Sequence, residues 1–272
     1  MLIDSHCHLQ DRKFRDDIPD AIDRASESGV TTMVTIGYDM PSSRRAIEIA
    51  DAHESVYATV GVHPHDAKTL TKSDGDELTR LAESPKVLAI GEIGLDFFRD
   101  LSPREDQYLA FREQLAIARA VNLPVVIHSR NADEEVYEVL SEHAEEAGAP
   151  EGRLIGVMHC YPGDLSLALR YIRLGFAISI AGPVTYTKSS VTRAMAGAVP
   201  LSSMTLETDA PYLPPQRIRG QRNEPANVRD VAEFVAKLRG TPYETVAQET
   251  AKTTSRLFGL TANITERAGG AR

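Results

Sequence analysis

The chain is poor in cysteine, with only Cys7 and Cys160 among 272 residues. That excludes a disulfide framework and fits a reducing compartment. Long hydrophobic runs are missing too: no stretch approaches the roughly 20 apolar residues of a membrane helix. The opening Leu2-Ile3-Asp4-Ser5-His6 has neither the positive nor the apolar region of a secretory signal. A soluble, cytoplasmic protein with no membrane partner is expected. Positive charge is also in deficit, 30 Lys and Arg against 39 Asp and Glu, for a formal charge of −9. This argues against a whole-surface electrostatic grip on nucleic acid; such a substrate would need bound cations or a local basic patch. No linker and no low-complexity segment interrupts the chain. No G-x-G-x-x-G follows the first apolar run, which argues against an open dinucleotide-binding sheet.

What is there is a globular composition, 42% hydrophobic and 25% charged, enough for a full core. Short β-branched runs at 2–4, 32–36, 56–60, 87–90, 125–127, 154–158, 177–180 and 204–206 read as strands. Stretches with helical spacing lie between them, at 17–28, 43–53, 76–83, 103–120, 133–146, 165–174, 189–198 and 228–238. Ser102-Pro103-Arg104-Glu105 and Thr241-Pro242-Tyr243-Glu244 are helix-start signals, the second opening a ninth helix to about Phe258. Gly29, Gly148 and Gly175 sit near helix ends. Strands apolar on both faces suit a parallel sheet. Eight strand–helix units predict an α/β fold, a single (β/α)8 TIM barrel over residues 1–260 with an extra C-terminal helix. Residues 261–272 are expected to be a frayed tail.

The polar residues have a pattern of their own. His6 and His8 follow the first strand, His63 and His65 the third, His128 the fifth and His159 the sixth. Glu92 and Asp209 hold the same position after the fourth and eighth. In a parallel barrel all these ends meet on one face, where active sites sit. Alternation places His6 and His8 on one side of their strand, turns Cys7 to the other, and points Cys160 away. His53 and His143 fall on helices and are read as solvated or partly buried, not as ligands. Imidazoles with carboxylates suit zinc, manganese, iron or, less well, magnesium. Four or more imidazoles and two carboxylates exceed one tetrahedral site, so a bridged two-metal site is expected.

The stretches DSHCHL (4–9), GVHPH (61–65), GEIGLDFFRD (91–100), VVIHSR (125–130), HCYPG (159–163), LETDAPYL (206–213) and RGQRNEP (219–225) resemble, in order and over nearly the whole chain, the TatD-related metal-dependent hydrolases of the amidohydrolase superfamily. The resemblance implies a barrel hydrolase with two divalent cations, Mg, Mn or Zn. It implies His6, His8 and Asp209 on one metal, His128 and His159 on the other, Glu92 bridging, and His65 near a substrate phosphate. The implied activity is exonucleolytic hydrolysis of DNA phosphodiesters. Gln10 departs from the pattern, standing where an acid is common, and Lys188 receives no role.

A metal-activated water would attack phosphorus, with Asp209 orienting it and taking its proton. His65 would hold a phosphate oxygen, protonate the leaving group, or orient a ligand. Glu207, two residues before Asp209, is expected to support a ligand. Arg130 should face the same pocket, and it and His63 are expected substrate contacts. Arg217, Arg219 and Arg222 form the one basic cluster near the mouth and could seat a nucleic-acid backbone; the alternative is a solvated loop. Asn223 and Glu224 are candidates for fixing that loop. Rival substrates are carbonyl esters or amides, such as the aminoacyl bond on tRNA. A non-enzymatic metal protein is disfavoured because structural sites close their coordination with protein groups.

Overall fold

The computed structural model describes residues 1–148 and 152–260. The expected tail, 261–272, lies outside the described residues. In chain order the elements are β1 (Leu2–Cys7), α1 (Ile18–Glu27), β2 (Val30–Ile36), α2 (Met40–Ala52), β3 (Val56–Val60), α3 (Lys72–Leu81), β4 (Val87–Asp96) and α4 (Arg104–Val121). There follow β5 (Val125–Arg130), α5 (Asp133–Ala147), β6 (Gly156–Met158), α6 (Leu165–Arg173), β7 (Phe176–Ile180), α7 (Ser190–Ala198), β8 (Met204–Leu206), α8 (Val228–Arg239) and α9 (Tyr243–Phe258). All eight strands are parallel and lie in the order of the chain.

The sheet curls until its ends meet. Cys7 bridges to Ala210, the His8 amide donates to the Ala210 carbonyl at 2.7 Å, and the Asp209 amide donates to the His6 carbonyl at 2.9 Å. The result is the (β/α)8 barrel that the alternation of patterns predicts. Among the described residues no helix is long and apolar enough to cross a membrane.

Three strands run further than their apolar stretches suggest. β1 continues to Cys7, β4 to Asp96 and β5 to Arg130. The polar continuations are still paired, Gly94 opposite His128 and Asp96 opposite Arg130. Apolar runs mark where a strand is buried on both faces; ladder hydrogen bonds do not need that and carry on into the polar mouth. Gly94 permits this closeness, because a Cβ there would run into the His128 carbonyl. So His6, Glu92 and His128 sit within strands rather than after them.

Helices fasten these ends. α4 buries Gln107, Ala110, Phe111, Gln114, Leu115 and Ala118, one stripe at helical spacing. Gln114 accepts from the Val62 amide (2.7 Å) and donates to the Val62 carbonyl (3.0 Å), pinning the segment just before His63. Gln107 does the same to Asp96 (2.8 and 3.3 Å). α2 and α3 start earlier than expected because Asp39 with Ser42, and Thr71 with Asp74, form capping boxes that satisfy the first-turn amides. At the opposite end, Leu257 and Phe258 of α9 join the interior cluster of Val34, Leu88, Val126, Val157 and Ala177. The ninth helix thereby plugs the end where the strands begin.

Candidate metal centre

The predicted polar residues do converge. His8, His63, His65, Glu92, His128, His159 and Asp209 line one cleft of about 760 Å³ at the finishing end of the strands, with Tyr38, Asp96, Arg99 and Arg130. His6 lies beneath, fully buried. Its Nε2 is 3.3 Å from His8 Nε2, 3.5 Å from Glu92 Oε2 and 3.7 Å from Asp209 Oδ1; His8 Nε2 is 3.2 Å from that same Asp209 oxygen. The other Glu92 oxygen, Oε1, faces His128 Nδ1 at 2.8 Å, His63 Nε2 at 3.5 Å and His159 Nε2 at 3.9 Å. Asp209 stands in the left-handed region, φ +57°, a strained conformation of the kind found at functional sites.

The partners behind His8 and His63 fix which nitrogen of each ring carries its proton. His8 Nδ1 is 3.0 Å from the Ile36 carbonyl, which can only accept, so Nδ1 bears the hydrogen and Nε2 is bare in the neutral ring. His128 lies between two carboxylates, Nε2 3.1 Å from Asp96 Oδ2 and Nδ1 2.8 Å from Glu92 Oε1; both can only accept, and burial notwithstanding they raise its pKa. His159 Nδ1 is 2.9 Å from Glu207 Oε1, leaving Nε2 for the centre. His63 is the opposite case. Its Nδ1 accepts from the His65 amide (3.1 Å), so Nε2 carries the hydrogen and points a donor at Glu92. His63, Glu92 and His128 are close enough to share an ion, yet this tautomer makes His63 a hydrogen-bond donor rather than a ligand.

Bare imidazole nitrogens beside ionised carboxyl oxygens repel unless a proton or cation lies among them. Among the described residues, all ion-pair partners of Glu92 and Asp209 are histidines. Burial alone would lift the Glu92 carboxyl, but His159 and His63 hold it well below the usual range. Burial disfavours charge on His159, yet Glu207 and Glu92 pull it up to about 10. Burial and the neighbouring His128 push His63 down to about 4, in keeping with its neutral tautomer. The residues therefore fit divalent metal: hard oxygens and imidazoles, with His8, His128 and His159 fastened from behind and the far nitrogen of buried His6 left without a partner.

Sequence reasoning missed two of the fastenings. Asp96 is fully buried; its Oδ2 accepts from both His65 (2.8 Å) and His128 (3.1 Å). Residues 92, 94 and 96 alternate along one strand, but the apolar run that marks it stops at Ile90. Asp4 accepts from the Thr208 amide (2.9 Å) and hydroxyl (2.6 Å), setting the residue before Asp209; burial raises its pKa to about 8. Glu207 supports a ligand as expected from its place, held by the Cys160 amide and the Ser179 hydroxyl, both at 2.6 Å. Gln10 donates to the Ile36 carbonyl at 2.5 Å and accepts from Thr35 at 2.6 Å, behind His8.

Other expected residues go elsewhere. Cys7 is buried and its thiol faces the Val34 carbonyl. Cys160, expected to point away, lines the cleft instead: β6 ends at Met158 and Cys160 takes φ +42°, so alternation no longer governs it. Arg130 lines the cleft, its guanidinium over the Phe98 ring at 3.9 Å. Arg219 and Arg222 are not in the lining. Arg219 lies over Tyr186. Arg222 is bound to Asp17 (2.6 and 2.8 Å) and Glu224 (2.7 Å), and Arg217 to Asp230. Asn223 fixes the loop by donating to the Thr208 and Tyr212 carbonyls.

Comparison with known proteins agrees with this centre. Residues 3–259 match the family described as TatD related DNase. The chain is 38% identical over 260 residues, 96% of it and 100% of the relative, to YabD of Bacillus subtilis, named an uncharacterized metal-dependent hydrolase. It is 36% identical over 265 residues, 95% of it and 100% of the relative, to a Pantoea ananatis protein named 3'-5' ssDNA/RNA exonuclease TatD. The crystal structure of YjjV, a TatD homologue from Escherichia coli, superposes with a TM-score of 0.89 at 32% identity, covering 96% of this chain and 98% of that one.

Proposed function

The chain belongs to the TatD-related DNase family of metal-dependent hydrolases, and from that premise we propose that it is an exonuclease hydrolysing phosphodiester bonds of single-stranded DNA. In this reading His6, His8 and Asp209 would hold one divalent cation and His128 and His159 a second, with Glu92 between the two sets. Bound cations supply Lewis acidity, lowering the pKa of water and neutralising charge on the phosphoryl oxygens. The protein's own groups do the rest. Asp209 orients the attacking water and takes its proton through Oδ2, the oxygen not turned toward His6 and His8. His65 is the most exposed cleft histidine, its side chain 29% accessible, and is placed to meet a phosphate oxygen or protonate the leaving group. Asp96 holds its ring in place. His63 donates to Glu92 and keeps that carboxylate from swinging. Arg130 meets the substrate backbone.

The observation that carries this reading is Glu92: a buried carboxylate whose two oxygens face two sets of imidazole nitrogens, with no lysine or arginine among its ion-pair partners in the described residues. Such a pair of facing sets suits phosphodiester hydrolysis, because both the attacking and the leaving oxygen carry charge. The nuclease name of the Pantoea relative supports the substrate. The test is end-labelled single-stranded DNA incubated with protein loaded with Mg²⁺, Mn²⁺ or Zn²⁺. Stepwise shortening is expected, lost on chelation and lost in Asp209→Ala with its circular dichroism unchanged. Intact DNA alongside release of amino acid from charged tRNA would move the substrate to carbonyl esters.

A further inference from the structure

Among the described residues, three of the large hydrophobic side chains that remain exposed, Phe98, Leu101 and Tyr212, stand on the two loops framing the cleft. Phe98 is 57% exposed and Leu101 52%. The turn after β4 puts Phe98 there by construction. Asp96 Oδ1 accepts from the amides of Phe98 (3.0 Å) and Arg99 (2.7 Å), and Asp100 takes φ +51° to complete the reversal. Phe97 turns inward against Tyr108, with the Arg104 guanidinium over its ring at 4.1 Å. Its neighbour is thereby committed to the rim. Arg130 spans the gap from rim to cleft, lining the one and lying over the Phe98 ring at 3.9 Å. Arg99 lines the cleft beside it. On a chain of net charge −9, this is a local meeting of guanidinium and open aromatic face at the approach to the candidate centre. Proteins that hold unpaired nucleotides combine these two elements: cations follow the phosphates and rings stack the bases.

We propose that Phe98 and Arg130 form a stacking subsite for the base flanking the scissile phosphate. The inference rests on the nuclease reading above and narrows it: the substrate is an end whose last base has left the duplex stack, because a paired base has both faces covered. The expected effect follows from the worth of one base–aromatic contact, about tenfold or more in kcat/KM.

The test uses metal-loaded protein and two end-labelled single strands, one ending in adenosine and one in an abasic residue of the same backbone. Wild type should prefer the adenosine end by about tenfold. Phe98→Ala should lose the preference and Phe98→Trp should restore it. A second readout does not depend on turnover: a strand with terminal 2-aminopurine on hydrolysis-resistant phosphorothioate linkages should be quenched by wild type and Phe98→Trp, but not by Phe98→Ala. Preference and quenching unchanged in Phe98→Ala would overturn the subsite while leaving the nuclease reading intact. Failure of wild type to shorten either strand would overturn both.

Discussion

At the end of the barrel where the strands finish, buried histidines face carboxylates; at the end where they begin, the one buried histidine faces an arginine. His159 lies against Glu207 and Glu92, which raise it to about 10 in spite of its burial. His143 of α5 is 3% exposed and packs beside Asn122, Leu123, Pro124 and Ile155, the residues that lead into β5 and β6. Burial, then the Arg119 guanidinium, push it down to about 4. Arg119 Nη1 can only donate, and it lies 2.9 Å from His143 Nδ1, so that ring is a neutral acceptor. A buried histidine is therefore told apart by the sign of its partner. One end gathers groups that demand positive charge; the other uses a neutral ring to satisfy an arginine.

Substitutions should separate the two ends, and the largest effect belongs to Glu92. Glu92→Ala is expected to cut turnover on single-stranded DNA by roughly a thousandfold or more, about 4 kcal/mol of transition-state stabilisation, with loss of metal by elemental analysis. Retention of both activity and metal would dissolve the distinction. Next comes Glu207→Gln, which removes the charge behind His159 and should weaken metal affinity by about 10–100-fold in chelator competition.

The opposite end should register in stability rather than turnover. His143 has a folded pKa below its unfolded value, so its contribution is complete above about pH 6.5 and is lost as pH falls toward about 4. Urea midpoints of wild type should fall between about pH 7.5 and 5. His143→Gln should fall less, with activity retained; an equal fall would mean that His143 titrates freely. The smallest effect is expected at Arg222, whose bonds tie the loop after β8 to Asp17 and Glu224. Arg222→Gln should cost about 1 kcal/mol of stability and leave KM for DNA alone. A raised KM at unchanged stability would instead return Arg222 to the substrate path.

The barrel and its cluster of strand-end histidines were legible because both follow from short-range patterns. A parallel strand buried on both faces reads as an apolar run, and the polar residue that ends the run reads as the mouth. Asp96 was not legible that way. The run stopped at Ile90, and the strand's last six residues were kept in the ladder by Gly94 and Gln107 rather than by their own hydrophobicity. Arg222 misled for the converse reason: its neighbours in sequence are basic, but Asp17, which neutralises it, is about 200 positions away. Cys160 was misplaced because alternation stops where a strand stops. Proton positions on His8 and His63 needed the Ile36 carbonyl and the His65 amide beside each ring, and no one-dimensional pattern contains those.

The seam between β1 and the residues after β8 bears on how the protein is made. His6 and His8 leave the ribosome first, and Asp209, which shares their cluster, follows about 200 residues later. At roughly 5–20 residues per second, that is a wait of about 10–40 s. Through this interval the first strand has its pair of imidazoles but neither its closing neighbour nor its carboxylate. Glu92, His128 and His159 emerge in between, so the group around Glu92 Oε1 is present in the nascent chain before Asp209 joins His6 and His8. A ribosome-bound chain halted with His159 clear of the exit tunnel but short of Asp209 would hold one group and not the other. The order of synthesis thus gives the two halves different histories within one finished site.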